Sequence, residues 1–90
     1  AIAPGSFSQY VTVDAAMVAP KPASLSWEAA ATVPVAFLTA YYALHNVAKI
    51  QKGDRILIHA AAGGVGQAAI AIAQQAGAEI IATASPTKWD

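Results

Sequence analysis

The residues able to do chemistry are concentrated between Ile56 and Lys88. Three large apolar residues, Ile56, Leu57 and Ile58, run straight into a small-residue loop, His59-Ala60-Ala61-Ala62-Gly63-Gly64-Val65-Gly66. An alanine- and isoleucine-rich segment, residues 67–76, follows. Strand, glycine turn and helix in that order form the first half of a dinucleotide-binding βαβ unit. Gly63 is expected to permit the tight turn off the strand, and Gly64 to let the backbone approach a pyrophosphate with no Cβ in the way. Gly66 is expected to let the helix pack closely on the sheet. The helix start would then aim unpaired N–H groups and a partial positive charge at phosphates.

The loop departs from the G-x-G-x-x-G fingerprint, because Ala61 stands where the first glycine would fall when Gly63 and Gly66 are aligned. Glycine-rich strand-to-helix turns also occur with no ligand, so the context has to decide. A second apolar strand, residues 79–83, follows Gly77, which suits a helix C′ position. An acidic residue that holds the ribose 2′-hydroxyl would come about 20 residues past the glycines. That place falls near Ala84 and Ser85, where there is no carboxylate. Ser85-Pro86-Thr87-Lys88 supplies hydroxyls and a cation there instead. This pattern favours a 2′-phosphate, hence NADPH over NADH; a solvated turn after a strand is the plainer alternative for Ser85 and Lys88.

These residues need elements to position them. Residues 7–13, Phe-Ser-Gln-Tyr-Val-Thr-Val, alternate and read as a half-buried strand. Pro4-Gly5 and Asp14-Ala15-Ala16 read as corners, and Pro20-Lys21-Pro22 as extended backbone. Ser26 is a good N-cap for a helix over 27–32, with Glu28 in its first turn. Pro34 suits the first turn of a second helix running to about Ala48. Phe37, Tyr41, Leu44 and Ala48 share one face of that helix, and Leu38 and Tyr42 flank it, which predicts a helix buried between layers. Lys52-Gly53-Asp54 is a turn into a strand over 55–59, and the residues after Lys88 read as the start of another helix before Asp90.

The chain has 90 residues, 57% hydrophobic and 11% charged, with zero net charge. Low charge argues against disorder and against a nucleic-acid partner, which would require a basic face. There is no cysteine, so no disulfide framework or Cys-ligated zinc is expected. His45 and His59 are too far apart to make a recognisable ligand pair and read as packed histidines, so no metal is expected. Residues 29–44 are nearly free of charge, yet they contain Thr32, Pro34 and Thr39 and are shorter than the roughly 20 apolar residues of a span. They read as core, with no membrane partner. No signal peptide is visible, so the expected location is the cytoplasm. Only one strand–helix–strand unit of a sheet is present, so the chain reads as a piece of a larger protein.

Val33-Pro34-Val35-Ala36-Phe37-Leu38-Thr39-Ala40-Tyr41-Tyr42-Ala43-Leu44 resembles the linking helix of the medium-chain dehydrogenase/reductase superfamily. His59-Ala60-Ala61-Ala62-Gly63-Gly64-Val65-Gly66-Gln67-Ala68-Ala69 resembles its zinc-free quinone reductase and enoyl reductase branch, in which an alanine replaces the first fingerprint glycine. Ala82-Thr83-Ala84-Ser85-Pro86-Thr87-Lys88-Trp89 is similar to enoyl reductase domains of modular type I polyketide synthases. The resemblance implies an α/β fold, a Rossmann-type βαβ nucleotide-binding unit preceded by the tail of a GroES-like β-rich domain, within a larger two-domain reductase. Residues 1–25 would end the β-rich domain, 26–50 would be linking helices, and 51–90 would begin the NADPH-binding domain.

The activity implied is NADPH-dependent reduction of an α,β-unsaturated acyl thioester on acyl carrier protein. Gly63, Gly64, Val65 and Gly66 would hold the pyrophosphate; Ser85 and Lys88 would bind the 2′-phosphate; Thr83 and Ala84 would border the adenosine ribose. Thr39 matches a family position near the nicotinamide, though a helical threonine also bonds back to a carbonyl. Tyr41 and Tyr42 read as core, and no catalytic acid is assigned. Other domains of a multienzyme are the implied partners, and a homodimer is compatible with the family. Two alternatives stay open: a stand-alone NADPH quinone oxidoreductase of the same branch, and a non-catalytic structural element. The 90 residues alone are expected not to turn over.

Overall fold

The structure is a computed structural model that describes residues 2–89 and divides into two compact units, Ala1–Val35 and Ala36–Asp90. The sequence expectation for Asp90 lies outside the described residues.

The first unit is a succession of locally closed turns. Gly5, with φ +75°, makes the expected turn after Pro4, and the Ser6 hydroxyl bonds to the Ala3 carbonyl. Ala15–Met17 form a 3-10 turn at the expected corner, where the Asp14 carboxylate accepts from the Ala16 N–H at 2.9 Å. Helix α1, Trp27–Ala31, starts as read: the Ser26 hydroxyl oxygen accepts from the Ala29 N–H at 3.1 Å, and Glu28 sits in the first turn. The strand expected over residues 7–13 is absent, and Phe7, Tyr10 and Val11 are exposed. Alternation marks a segment that can sit on a sheet, but a strand exists only with a ladder partner, and none is present among the described residues.

Helix α2, Val33–Tyr41, begins in the last residues of the first unit and continues into the second, which then carries a π-helical turn, Tyr42–Val47, strand β1, Arg55–Ile58, helix α3, Gly64–Ala76, and strand β2, Glu79–Ala82. The helix expected to end near Ala48 does so, but its last turns widen: the Ala48 N–H bonds to the Ala43 carbonyl at 2.9 Å, and the Ile50 N–H to the Leu44 carbonyl at 2.8 Å. The turn before β1 is tied by Asp54, whose carboxylate accepts from the Gln51 N–H at 2.8 Å, with Gly53 at φ +88°.

The two strands pair in parallel, Arg55 with Glu79 and Ile58 with Ala82 at the ends of the register. Thr83 N–H to Ile58 carbonyl (3.0 Å) and Ala61 N–H to Thr83 carbonyl (2.8 Å) extend the ladder past both strand ends. Gly77 closes α3 in the left-handed conformation, φ +79°, as the sequence requires. Ala68 and Ile72 of α3 pack with Ala40, and with the partly buried Ala36 and Leu44. Small side chains at 36, 40 and 68 let the helices approach closely. Burial of α2 differs from the expectation: Ala40 is buried, but Phe37, Leu38, Tyr41 and Tyr42 are exposed. A helix with apolar groups nearly all round needs cover on several sides, and among the described residues only its alanine face is covered.

Candidate functional site

The site lies at the carboxyl ends of β1 and β2, where ligands bind in open parallel sheets. β1 leaves the sheet through His59 and Ala60, and Ala60 takes the left-handed conformation at φ +51°. The Gly63 N–H then bonds back to the Ala60 carbonyl at 3.0 Å. The tight turn therefore falls on Ala60. Gly63 is extended, φ −75° and ψ 173°, and serves as the helix N-cap. This corrects the expectation that Gly63 supplies the special turn geometry. Its remaining constraint is space, since a Cβ there would lie 3.3 Å from the Ala60 carbonyl oxygen.

Gly66 is where proximity decides the residue. A Cβ on it would lie 2.5 Å from the Ala60 carbonyl oxygen and 2.7 Å from the Ala61 α-carbon, both backbone atoms that cannot swing aside. The close approach at Gly66 is therefore between the first turn of the helix and the backbone of the loop that leaves β1. Gly64 faces open space, with nothing within 4 Å of the position a Cβ would take. The helix begins at Gly64, three residues before the segment read as helical, so Gly64, Val65 and Gly66 form its first turn. No side chain caps these N–H groups, because the N-cap is glycine. An exposed helix start with an open glycine fits an anionic group approaching the backbone.

Beside this turn is a groove of about 660 Å³. Ala61, Ala62, Gln67 and Ile70 line one part of it, and Ala82, Thr83, Ala84, Lys88 and Trp89 the other. Each wall is tied in place. Gln67 donates from Nε2 to the Ala62 carbonyl at 2.8 Å, the His59 Nδ1 lies 2.9 Å from the Thr83 hydroxyl, and Trp89 Nε1 donates to the Ala84 carbonyl at 2.8 Å. Lys88 is the charged residue on the lining, and no carboxylate is among the described residues there.

Of the residues singled out from sequence, Thr83, Ala84 and Lys88 line the groove, and Gly63–Gly66 form the adjoining helix start. Ser85 is not on the lining; it stands at the N-cap position of the 3-10 turn Pro86–Lys88 without a side-chain capping bond, its hydroxyl 3.3 Å from that of Thr87. Trp89, where the start of a new helix is expected, is the C-cap of that turn. Thr39 lies on α2, next to buried Ala40, and is also outside the groove lining. Sequence reasoning missed Gln67, Ile70 and Trp89. Gln67 was legible as the polar residue directly after the last loop glycine, and Trp89 as the aromatic neighbour of Lys88.

A parallel β–α–β unit with a glycine turn at the strand ends and a groove over it defines a dinucleotide-binding class of α/β protein. No family model matches the chain. The polyketide synthase GfsB of Streptomyces halstedii is 55% identical over 86 residues, covering 96% of this chain and 2% of its own length. The spectinabilin polyketide synthase protein NorB of Streptomyces orinoci is 48% identical over 89 residues, covering 99% of this chain and 4% of its own. Among solved structures, the CurK enoyl reductase superposes with a TM-score of 0.77 at 66% identity, over 79% of this chain and 21% of that one. A quinone oxidoreductase from Thermus thermophilus, solved also as its NADPH complex, gives 0.71 at 47% identity, over 77% and 23%. The chain belongs to the medium-chain dehydrogenase/reductase superfamily and, within it, to the enoyl reductase domains of polyketide synthases. It spans about a fifth of the solved enoyl reductase CurK that it matches.

Proposed function

We propose that this chain is the NADPH-binding segment of a polyketide synthase enoyl reductase. The observation that carries the reading is the groove at the carboxyl ends of two parallel strands, with Lys88 as its charged lining residue and no carboxylate where a ribose 2′-hydroxyl would be held. The first-turn N–H groups of Gly64, Val65 and Gly66 would receive the pyrophosphate, with Gly63 opening the helix. Thr83 and Ala84 would border the ribose, Ser85 and Lys88 would hold the 2′-phosphate, and Thr39 would stand near the nicotinamide.

When bound, the dihydronicotinamide supplies hydride to the β-carbon of an α,β-unsaturated acyl thioester on acyl carrier protein, and a proton is then added at the α-carbon. What these residues contribute is binding and orientation: reacting carbons must be brought within about 3–3.5 Å. No side chain of the segment is assigned as the proton donor, so the 90 residues alone are expected to show no turnover. In this reading residues 1–25 end a GroES-like domain, 26–50 link, and 51–90 begin the nucleotide domain. Its partners are the other domains of a cytoplasmic multienzyme, and it is compatible with a homodimer. Among the described residues no helix is long and apolar enough to cross a membrane.

The test is calorimetry of NADPH and NADH on the full-length protein that carries this segment, with a Ser85→Asp/Lys88→Ala variant beside it. Loss of charge-assisted bonds to a 2′-phosphate corresponds to about 1.5–3 kcal/mol, on the order of tenfold to a hundredfold in affinity. NADPH should win by that margin, and the variant should erase it. If neither cofactor binds, the loop is a structural turn only. The likeness to the Thermus thermophilus quinone oxidoreductase favours a second reading, reduction of a quinone. Parallel assays of an enoyl thioester and a quinone on the same protein separate the two.

A further inference from the structure

We propose that Trp89 is a positioning residue for the 2′-phosphate of the nucleotide: its bond to Ala84 staples the turn that carries Lys88 at the edge of the groove. The inference rests on the nucleotide reading above and adds a determinant of cofactor choice to it.

The turn has little else to hold it. Pro86–Lys88 is a single 3-10 turn of three residues, and its N-cap, Ser85, makes no side-chain capping bond. Its backbone ties are Lys88 N–H to Ser85 carbonyl at 2.9 Å and a long Trp89 N–H to Pro86 carbonyl at 3.5 Å. A turn this short, with such ties, does not fix its own orientation. The indole N–H of Trp89 closes the whole segment by donating to the Ala84 carbonyl at 2.8 Å, five residues back. Trp89 is 72% exposed, so burial does not lock its ring, and the hydrogen bond is the restraint. Both residues at the end of this staple, Lys88 and Trp89, line the groove with Ala84.

The consequence is preorganisation. A lysine ammonium on a flexible stem gains most when the backbone beneath it is already in place, because less freedom is lost on binding. Releasing the staple therefore weakens the part of the ligand that Lys88 meets and leaves the rest alone. A purely structural staple would weaken NADPH and NADH together, whereas phosphate positioning changes their ratio.

The experiment is calorimetric titration of the full-length protein with NADPH and NADH, comparing wild type, Trp89→Phe, Lys88→Ala and the double variant. Trp89→Phe keeps an aromatic ring and removes the donor. It is expected to weaken NADPH about three- to tenfold, the worth of one hydrogen bond, while NADH stays within about twofold. The double variant should lose no more NADPH affinity than Lys88→Ala alone. Amide hydrogen exchange provides a second readout, with the Lys88 N–H exchanging faster in Trp89→Phe. An unchanged NADPH-to-NADH ratio, or an equal loss for both cofactors, overturns the proposal. A wild type with no preference for NADPH overturns the function reading and this proposal with it; a preference that Trp89→Phe leaves unmoved overturns this proposal alone.

Discussion

The Ala60 carbonyl oxygen sits 2.5 Å from where a Cβ on Gly66 would be, so the first turn of α3 rests directly on the backbone leaving β1. The contact joins sequence to function in one step. Only a hydrogen side chain at 66 lets the helix start reach the strand end, and that approach sets the first-turn N–H groups beside the groove.

Gly66→Ala is therefore expected to destabilise the fold by about 1–3 kcal/mol, the range for forcing a methyl group into packed structure. The clash is with backbone, so relaxation requires moving the loop or the helix. Urea unfolding of the protein should show a lower midpoint with an unchanged slope. An unaltered midpoint would mean that helix and strand are not packed this closely.

Gly64→Ala should separate stability from binding. Nothing lies within 4 Å of the added methyl, and the residue is helical, so stability should hold or rise by up to about 1 kcal/mol. The same methyl would stand in the path of a pyrophosphate approaching the helix start. NADPH affinity should fall by at least about tenfold, the equivalent of 1.4 kcal/mol. Retained affinity would remove Gly64 from the binding surface.

The two left-handed positions beside α3 carry opposite expectations. Gly77, at φ +79° with Lys52 Cγ 3.0 Å from its missing Cβ, should not accept alanine, and Gly77→Ala should cost about 1–2 kcal/mol. Ala60 already holds φ +51° with a side chain present, so Ala60→Gly should be close to neutral. There the relief of left-handed strain is offset by the greater freedom of the unfolded chain, about 0.5–1 kcal/mol. Thermal melts of the two variants check the contrast.

That contrast also marks how far the sequence was legible. Gly77, Ser26 and the 56–66 run could be read because each signal is local: a left-handed cap, a side-chain cap and a strand entering a glycine turn. Ala60 could not, since alanine carries no mark of a left-handed backbone, whereas Gly63 nearby carries one by residue type although its backbone is extended. Residues 7–13 misled for a related reason. Their alternation records an ability to pair, while pairing itself depends on a second strand elsewhere. Around the groove, Thr83, Ala84 and Lys88 coincide with positions singled out from sequence, and Gln67 and Trp89 adjoin Gly66 and Lys88 in the chain, whereas Ile70 carries no local mark because groove lining depends on how separate segments converge.

Across the strands, Arg55 Nε pairs with Glu79 at 2.8 Å, in register at the end of the sheet remote from the site. Both side chains are largely exposed, 70% and 61%, so solvent screens the pair. Arg55→Met should cost no more than about 1 kcal/mol and should leave cofactor affinity untouched. A larger loss of stability, followed by urea unfolding at low and high salt, would show that the ion pair helps fix the parallel register.

The exposed apolar residues predict how the 90 residues behave in isolation. Leu38 and Tyr42 stand one turn apart on α2 and its π-helical extension, 58% and 63% exposed. Leu57 and Ile81, paired across β1 and β2, are 56% and 49% exposed on the open side of the sheet. Exposed apolar groups gathered in this way favour self-association and dye binding. The isolated chain should bind a hydrophobic fluorescent dye and sediment as species heavier than a monomer, and Leu38→Glu with Ile81→Lys should reduce both effects. Dye binding that persists unchanged in that variant would place the sticky surface elsewhere, and a dye-silent monomer would mean that these side chains are covered in solution.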